Sequence, residues 1–134
     1  MKLTLDEHAI KSISFFQNLT GSSVIDCISE NGDLYFVVAS GHYGLSVGKG
    51  GSKIRNAEKI FKKSIRIFEY SPDMKQFIKN MVPEAQEISI NEKSVEIKIK
   101  PQDRTRVIGR GGKNIKIMNR FLERLFGVAA MRVR

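Results

Sequence analysis

The chain has 134 residues, 41% of them hydrophobic and 28% charged, which suits one ordinary domain or two very small ones and argues against a disordered chain. Its formal net charge of +9 biases it toward polyanions. No apolar run is long enough to span a membrane, the N-terminus lacks a signal-peptide core, and the single Cys27 excludes an internal disulfide or a cysteine zinc site, so a cytoplasmic protein without membrane partner is expected.

In chain order, Thr4-Leu-Asp-Glu7 fits a capping box at a helix start, and Ala9, Ile13 and Phe16 follow at helical spacing. Gly21-Ser22-Ser23 ends that helix. Val24–Ser29, in which Cys27 reads as a small core residue, predicts a strand. Asn31-Gly32 predicts a two-residue hairpin turn. Leu34, Phe36 and Val38 form one face of the next strand, alternating with neighbours read as more polar or exposed. A short helix over Tyr43–Val47 leads into Gly48-Lys49-Gly50-Gly51. Ile54, Ala57 and Phe61 are the buried face of the following helix, and Ser64–Glu69 closes the half as a strand.

The pattern then restarts. Ser71-Pro72-Asp73 predicts a helix start with Ser71 as N-cap and Pro72 at the first helical position. Met74, Phe77, Ile78 and Met81 form its apolar stripe, and Pro83 stops it. Ile88 and Ile90 mark a strand, Asn91-Glu92-Lys93 a turn, and Val95, Ile97 and Ile99 a second strand. Pro101 opens a short helix ending at Gly109-Arg110-Gly111-Gly112. Ile115, Met118, Leu122 and Leu125 carry a long helix with Gly127 past its end, and Val128–Val133 is the last strand. Gly48 and Gly109 stand 61 positions apart, and the same offset maps Leu34, Phe36 and Val38 onto Val95, Ile97 and Ile99. Two domains are therefore expected, 1–70 and 71–134, each reading helix, strand, strand, helix, glycine loop, helix, strand.

Each glycine loop has the makings of a phosphate cradle. Glycines let the backbone turn tightly and approach another backbone. The first N–H groups of the next helix have no partner inside that helix, and its dipole favours an anion. Lys49 and Arg110 place a positive charge between the glycines. The charge is uneven: residues 1–70 carry a net +2 and residues 71–134 a net +7.

This doubled pattern resembles the type II KH domain, and the tandem pair, joined by Tyr70-Ser71-Pro72, resembles the archaeal NusA family of small transcription factors. The resemblance implies an α+β fold of two tandem type II KH domains, each a three-stranded sheet covered on one face by three helices. It implies single-stranded RNA as partner, with Gly48, Lys49, Gly50 and Gly51, and Gly109, Arg110, Gly111 and Gly112, as the two GxxG loops that clamp about four nucleotides each. Val47 and Ile54, and Ile108 and Ile115, match the apolar floor of the groove. Lys53, Arg55, Lys113 and Lys116, in the first turns of the following helices, are candidate phosphate contacts, and Ser52 and Asn114 belong to the same RNA-binding set. Tyr43, the one aromatic near the first loop, is read as packing.

The implied function is a transcription elongation or termination factor that binds nascent RNA, with RNA polymerase as candidate partner and a monomer expected. The alternative is a KH-domain RNA-binding protein of ribosome assembly or rRNA processing. Neither enzyme activity nor a cofactor or metal is expected. The P-loop spacing fails because Lys49, not a glycine, stands five residues after Gly44, and Asn114 occupies the third glycine position of a dinucleotide fingerprint counted from Gly109. His8 and His42 lack metal-ligand spacing.

Overall fold

The computed structural model describes residues 7–30 and 32–134. Thr4 of the expected capping box and Asn31 of the expected hairpin turn lie outside the described residues. The chain divides into two compact units that part between Ser71 and Pro72.

The first unit runs α1 (Glu7–Thr20), β1 (Val24–Glu30), β2 (Asp33–Val38), α2 (Tyr43–Val47), a 3-10 turn over Lys49–Gly51, α3 (Ser52–Phe61) and β3 (Ser64–Glu69). The strands order β1-β2-β3, with β1 antiparallel and β3 parallel to the central β2. A hairpin gives the first pairing. The second needs a crossover, which α2 and α3 supply. Phe16 of α1, Cys27 of β1, Leu34, Phe36 and Val38 of β2, Ala57 of α3, and Ile65 and Ile67 of β3 make one buried core, with Val47, Ile54 and Phe61 packed against it. Phe16 and Phe36 stack with their ring centroids 4.1 Å apart. Tyr35 and Val37 are buried as well, although alternation along β2 predicts exposed or polar neighbours there. The run Leu-Tyr-Phe-Val-Val has apolar bulk on both strand faces, as a strand buried on both sides requires.

The second unit repeats the order: α4 (Met74–Met81), β4 (Glu87–Asn91), β5 (Ser94–Lys98), a 3-10 turn over Pro101–Asp103, α5 (Arg104–Ile108), a 3-10 turn over Arg110–Gly112, α6 (Lys113–Phe126) and β6 (Ala130–Val133). Its sheet has the same topology, β4 antiparallel and β6 parallel to the central β5. Phe77, Ile78, Met81, Val95, Ile97, Ile117, Met118, Phe121, Leu122, Leu125 and Met131 are buried. Two of these, Ile117 and Phe121, widen the buried stripe of α6 beyond the residues its periodicity predicts.

Two boundaries differ from expectation. The N-cap of α4 is Asp73, not Ser71: its backbone is extended at φ −82° and ψ 111°, and its carboxylate accepts the Lys75 N–H at 3.2 Å. An aspartate ahead of the first turn reaches an orphan N–H directly, so Pro72 falls before the cap and not inside the helix. The last strand starts at Ala130, because α6 ends in a Schellman turn that occupies the residues before it. Gly127, at φ 71°, donates to the Glu123 carbonyl and Val128 to the Leu122 carbonyl.

Candidate nucleic-acid interface

The two glycine loops share one backbone conformation. Gly48 has φ 76° and ψ 167°, and Gly109 has φ 82° and ψ 166°. Gly50 and Gly111 follow at φ 60°, ψ 22° and φ 63°, ψ 20°. Gly51 and Gly112 complete the turn at φ 78°, ψ 15° and φ 77°, ψ 16°. Every one of these positions is left-handed, so each loop needs three glycines for conformational reasons alone. The Gly51 N–H closes on the Gly48 carbonyl at 3.0 Å and the Gly112 N–H on the Gly109 carbonyl at 3.1 Å. Lys49 and Gly50, and Arg110 and Gly111, are left exposed at the tips.

The helix that leaves each loop has a glycine at its N-cap, and that cap makes no side-chain hydrogen bond to the first turn. The leading N–H groups of the ten-residue α3 and the fourteen-residue α6 therefore have no capping side chain in front of them. The first of them, on Ser52 and Lys113, donate to the Lys49 and Arg110 carbonyls of the loop. Positive charge, backbone N–H groups and the helix dipole act at one place, which suits a phosphate.

The residues that brace the loops differ between the units, although they occupy equivalent positions. In the first unit Lys53 is half-buried under Gly48 and donates its ammonium to the Thr20 carbonyl at the end of α1, 2.8 Å away. In the second unit Asn114 takes that position under Gly109 and donates its amide to the Arg106 carbonyl at 3.1 Å. Arg55 reaches back over the first loop and donates to the Gly50 carbonyl at 2.6 Å. Of the positions assigned to phosphate by sequence, Lys49, Arg110, Arg55 and Lys116 are exposed, while Lys53 and Lys113 are half-buried. Ser52 is exposed and Asn114 half-buried.

Val47 and Ile54, and Ile108 and Ile115, are all half-buried. Each pair flanks its loop from the preceding and following helix, and Val47 and Ile54 pack against the core of the first unit. Arg106, on α5 just before the second loop, is held by two carboxylates. Its Nε donates to Glu84 at 3.1 Å and its Nη2 to Asp103 at 2.7 Å. The hydrogen bond to Glu84, and next the Asp103 charge, raise its pKa above the ordinary arginine value. Its charge thus serves to balance two acids, and Arg110 stands beyond it at the tip. Tyr43, expected to pack, is 48% exposed. The single turn of α2 turns Ser46 inward, and Tyr43 stands a full turn ahead of Val47, its backbone N–H donating to the Glu69 carboxylate at 3.2 Å.

No family model matches the chain. Among curated proteins it is similar to the probable transcription termination protein NusA of Methanococcus vannielii, at 37% identity over 99% of this chain and 80% of the relative. It is 32% identical to the protein of the same name from Methanocaldococcus jannaschii, over 98% of this chain and 75% of the relative. The chain belongs to the NusA family. Among solved structures the crystal structure of APE1850 is similar to this chain, with a TM-score of 0.78 at 31% identity, covering 97% of this chain and all of that one.

In this NusA-family chain one feature beside the loops escapes sequence reading. Glu58 of α3 accepts the Ile65 N–H of β3 at 2.9 Å, and Asn119 of α6 accepts the Met131 N–H of β6 at 2.6 Å. Glu58 and Asn119 are related by the same 61-residue offset as the loops. Each ties the third strand to the helix that carries the loop. The offset itself is the signal that could have found them, since both are polar side chains at one register position.

Proposed function

We propose that this chain is a NusA-like transcription factor that binds single-stranded RNA through two type II KH domains, residues 1–70 and 71–134. The observation that carries the reading is the identity of the two loop conformations. Two stretches that differ at the loop's second residue and in the helix start adopt the same left-handed triplet. Both put a cation at an exposed tip before a helix without a side-chain cap. A mere helix–helix turn has no need of the cation.

In this reading Lys49 and Arg110 meet phosphate oxygens, the backbones of Gly48–Gly51 and Gly109–Gly112 allow close approach, and the helices that start at Ser52 and Lys113 add their dipole ends. Lys53, Arg55, Asn114, Lys116 and Lys113 flank the path, with Lys53 and Asn114 also bracing the loop. Val47, Ile54, Ile108 and Ile115 offer shape and apolar contact to unstacked bases. The names of the relatives support transcription termination as the process. RNA polymerase as the protein partner and a monomer acting in the cytoplasm are part of the same proposal. No helix among the described residues is long and apolar enough to cross a membrane.

Fluorescence anisotropy with a short single-stranded RNA, and with its duplex, tests the binding. Single-strand affinity should exceed duplex affinity and fall with salt, by about 0.7 in log–log slope for each phosphate neutralised. A salt-independent affinity, or preference for the duplex, overturns it. A pull-down from native lysate distinguishes polymerase from pre-ribosomal particles as the partner.

A further inference from the structure

The residue that opens the short helix before each glycine loop is a planar group in both units. Tyr43 opens α2 and Arg104 opens α5, and the 61-residue offset relates them. Both side chains are exposed. Each stands one helical turn ahead of the floor residue of its loop, Val47 or Ile108, and residues four apart share a helix face. Leu45, also exposed, is two positions on and faces elsewhere.

Both residues are also anchored to the end of the third strand of their unit. The Tyr43 N–H donates to the Glu69 side chain at 3.2 Å, and the Arg104 Nη1 donates to the Val133 carbonyl at 3.4 Å. Aromatic rings and guanidinium planes are the two side-chain types on which single-stranded bases stack. A solvated surface position needs no planar group, and a tyrosine there leaves a large apolar ring in water.

We infer that Tyr43 and Arg104 are base-stacking platforms, each extending its groove by one nucleotide beyond the apolar floor. The inference rests on the single-stranded RNA reading above. Phosphate contact holds the strand at the loop. The base that leaves the floor on the α2 or α5 side then lies flat on the tyrosine ring or the guanidinium. The first unit, with little net charge, gains through an aromatic face what the second gains through a cation.

Anisotropy titrations with one single-stranded RNA, in wild type and variants whose circular dichroism matches wild type, test it. Tyr43→Phe should bind as wild type. Tyr43→Ala should lose about 5- to 100-fold, the range for removing one base stack. Tyr43→Leu, which keeps apolar bulk, should lose as much and serves if the alanine variant does not fold. Arg104→Lys separates plane from charge: it should lose nearly as much as Arg104→Ala. A 2-aminopurine placed along the RNA should be quenched by wild type and released in Tyr43→Leu. Wild-type affinity in both Tyr43→Ala and Tyr43→Leu overturns the inference for the first unit. Wild-type affinity in Arg104→Lys overturns it for the second, leaving a phosphate contact. If wild type itself fails to bind RNA, the RNA reading falls and this inference with it.

Discussion

The backbone nitrogen of Asn114 stands 2.8 Å from where a Cβ on Gly109 would be, so the start of α6 is seated directly on the first glycine of the loop. Gly48 has the same relation to the Lys53 nitrogen, at 2.9 Å. Both glycines also lie at a φ and ψ that other residues essentially never adopt. Gly109→Ala and Gly48→Ala should each destabilise their unit by about 3 kcal/mol or more, since strain and a clash with backbone add. Gly111→Ala, whose Cβ would meet nothing within 4 Å, should lose only about 1–2 kcal/mol from its left-handed φ. Denaturant midpoints compare the three, and equal losses would refute the seating.

Lys49 and Lys53 are both lysines of the first loop region, yet they should fail in opposite ways. Lys53→Met removes the ammonium held on the Thr20 carbonyl and should destabilise by about 1–3 kcal/mol. Lys49→Met changes an exposed tip and should shift stability by no more than about 0.5 kcal/mol. RNA affinity should fall in the Lys49 variant. Urea unfolding and anisotropy on the same two proteins check both halves of this.

Charge reversal at the tips is best made at the cations alone. Gly50 and Gly111 have φ 60° and 63°, so an aspartate there would add strain to repulsion and blur the result. Lys49→Asp and Arg110→Asp should each weaken single-stranded RNA binding by roughly 10- to 100-fold, the range for a charge-assisted hydrogen bond. The Arg110 variant should lose more, because residues 71–134 carry +7 of the +9 net charge. Unchanged affinity in both, with folding intact, would reduce the loops to turns.

The ties from helix to third strand should show in stability and not in charge. Asn119→Ala leaves the Met131 N–H without its side-chain acceptor and should lose about 1–3 kcal/mol, and Glu58→Ala should do the same through Ile65. Asn119→Asp keeps an oxygen in place of Oδ1, so it should lose less than Asn119→Ala. Urea midpoints rank the three variants. A milder Asn119→Ala than Asn119→Asp would refute the tie.

The sequence by itself determined the order of elements, the repeat and the two loops. Helical spacing at Ala9 and Phe16, alternation at Val95 and Ile97, and glycines at forced turns are relations between near neighbours, and the chain's local geometry enforces them wherever it lies. The Ser71 reading failed even locally, because serine and aspartate both cap helices and only the built turn shows which one reaches the Lys75 N–H. Tertiary structure alone decided which cations brace and which stand free. Lys53 finds its partner 33 positions away in Thr20, and Asn119 finds Met131 across the turn after α6. It decided too that Tyr43 stands in solvent while Tyr35 is buried. A side chain's partner depends on what folding brings beside it, and no spacing along the chain encodes that neighbour.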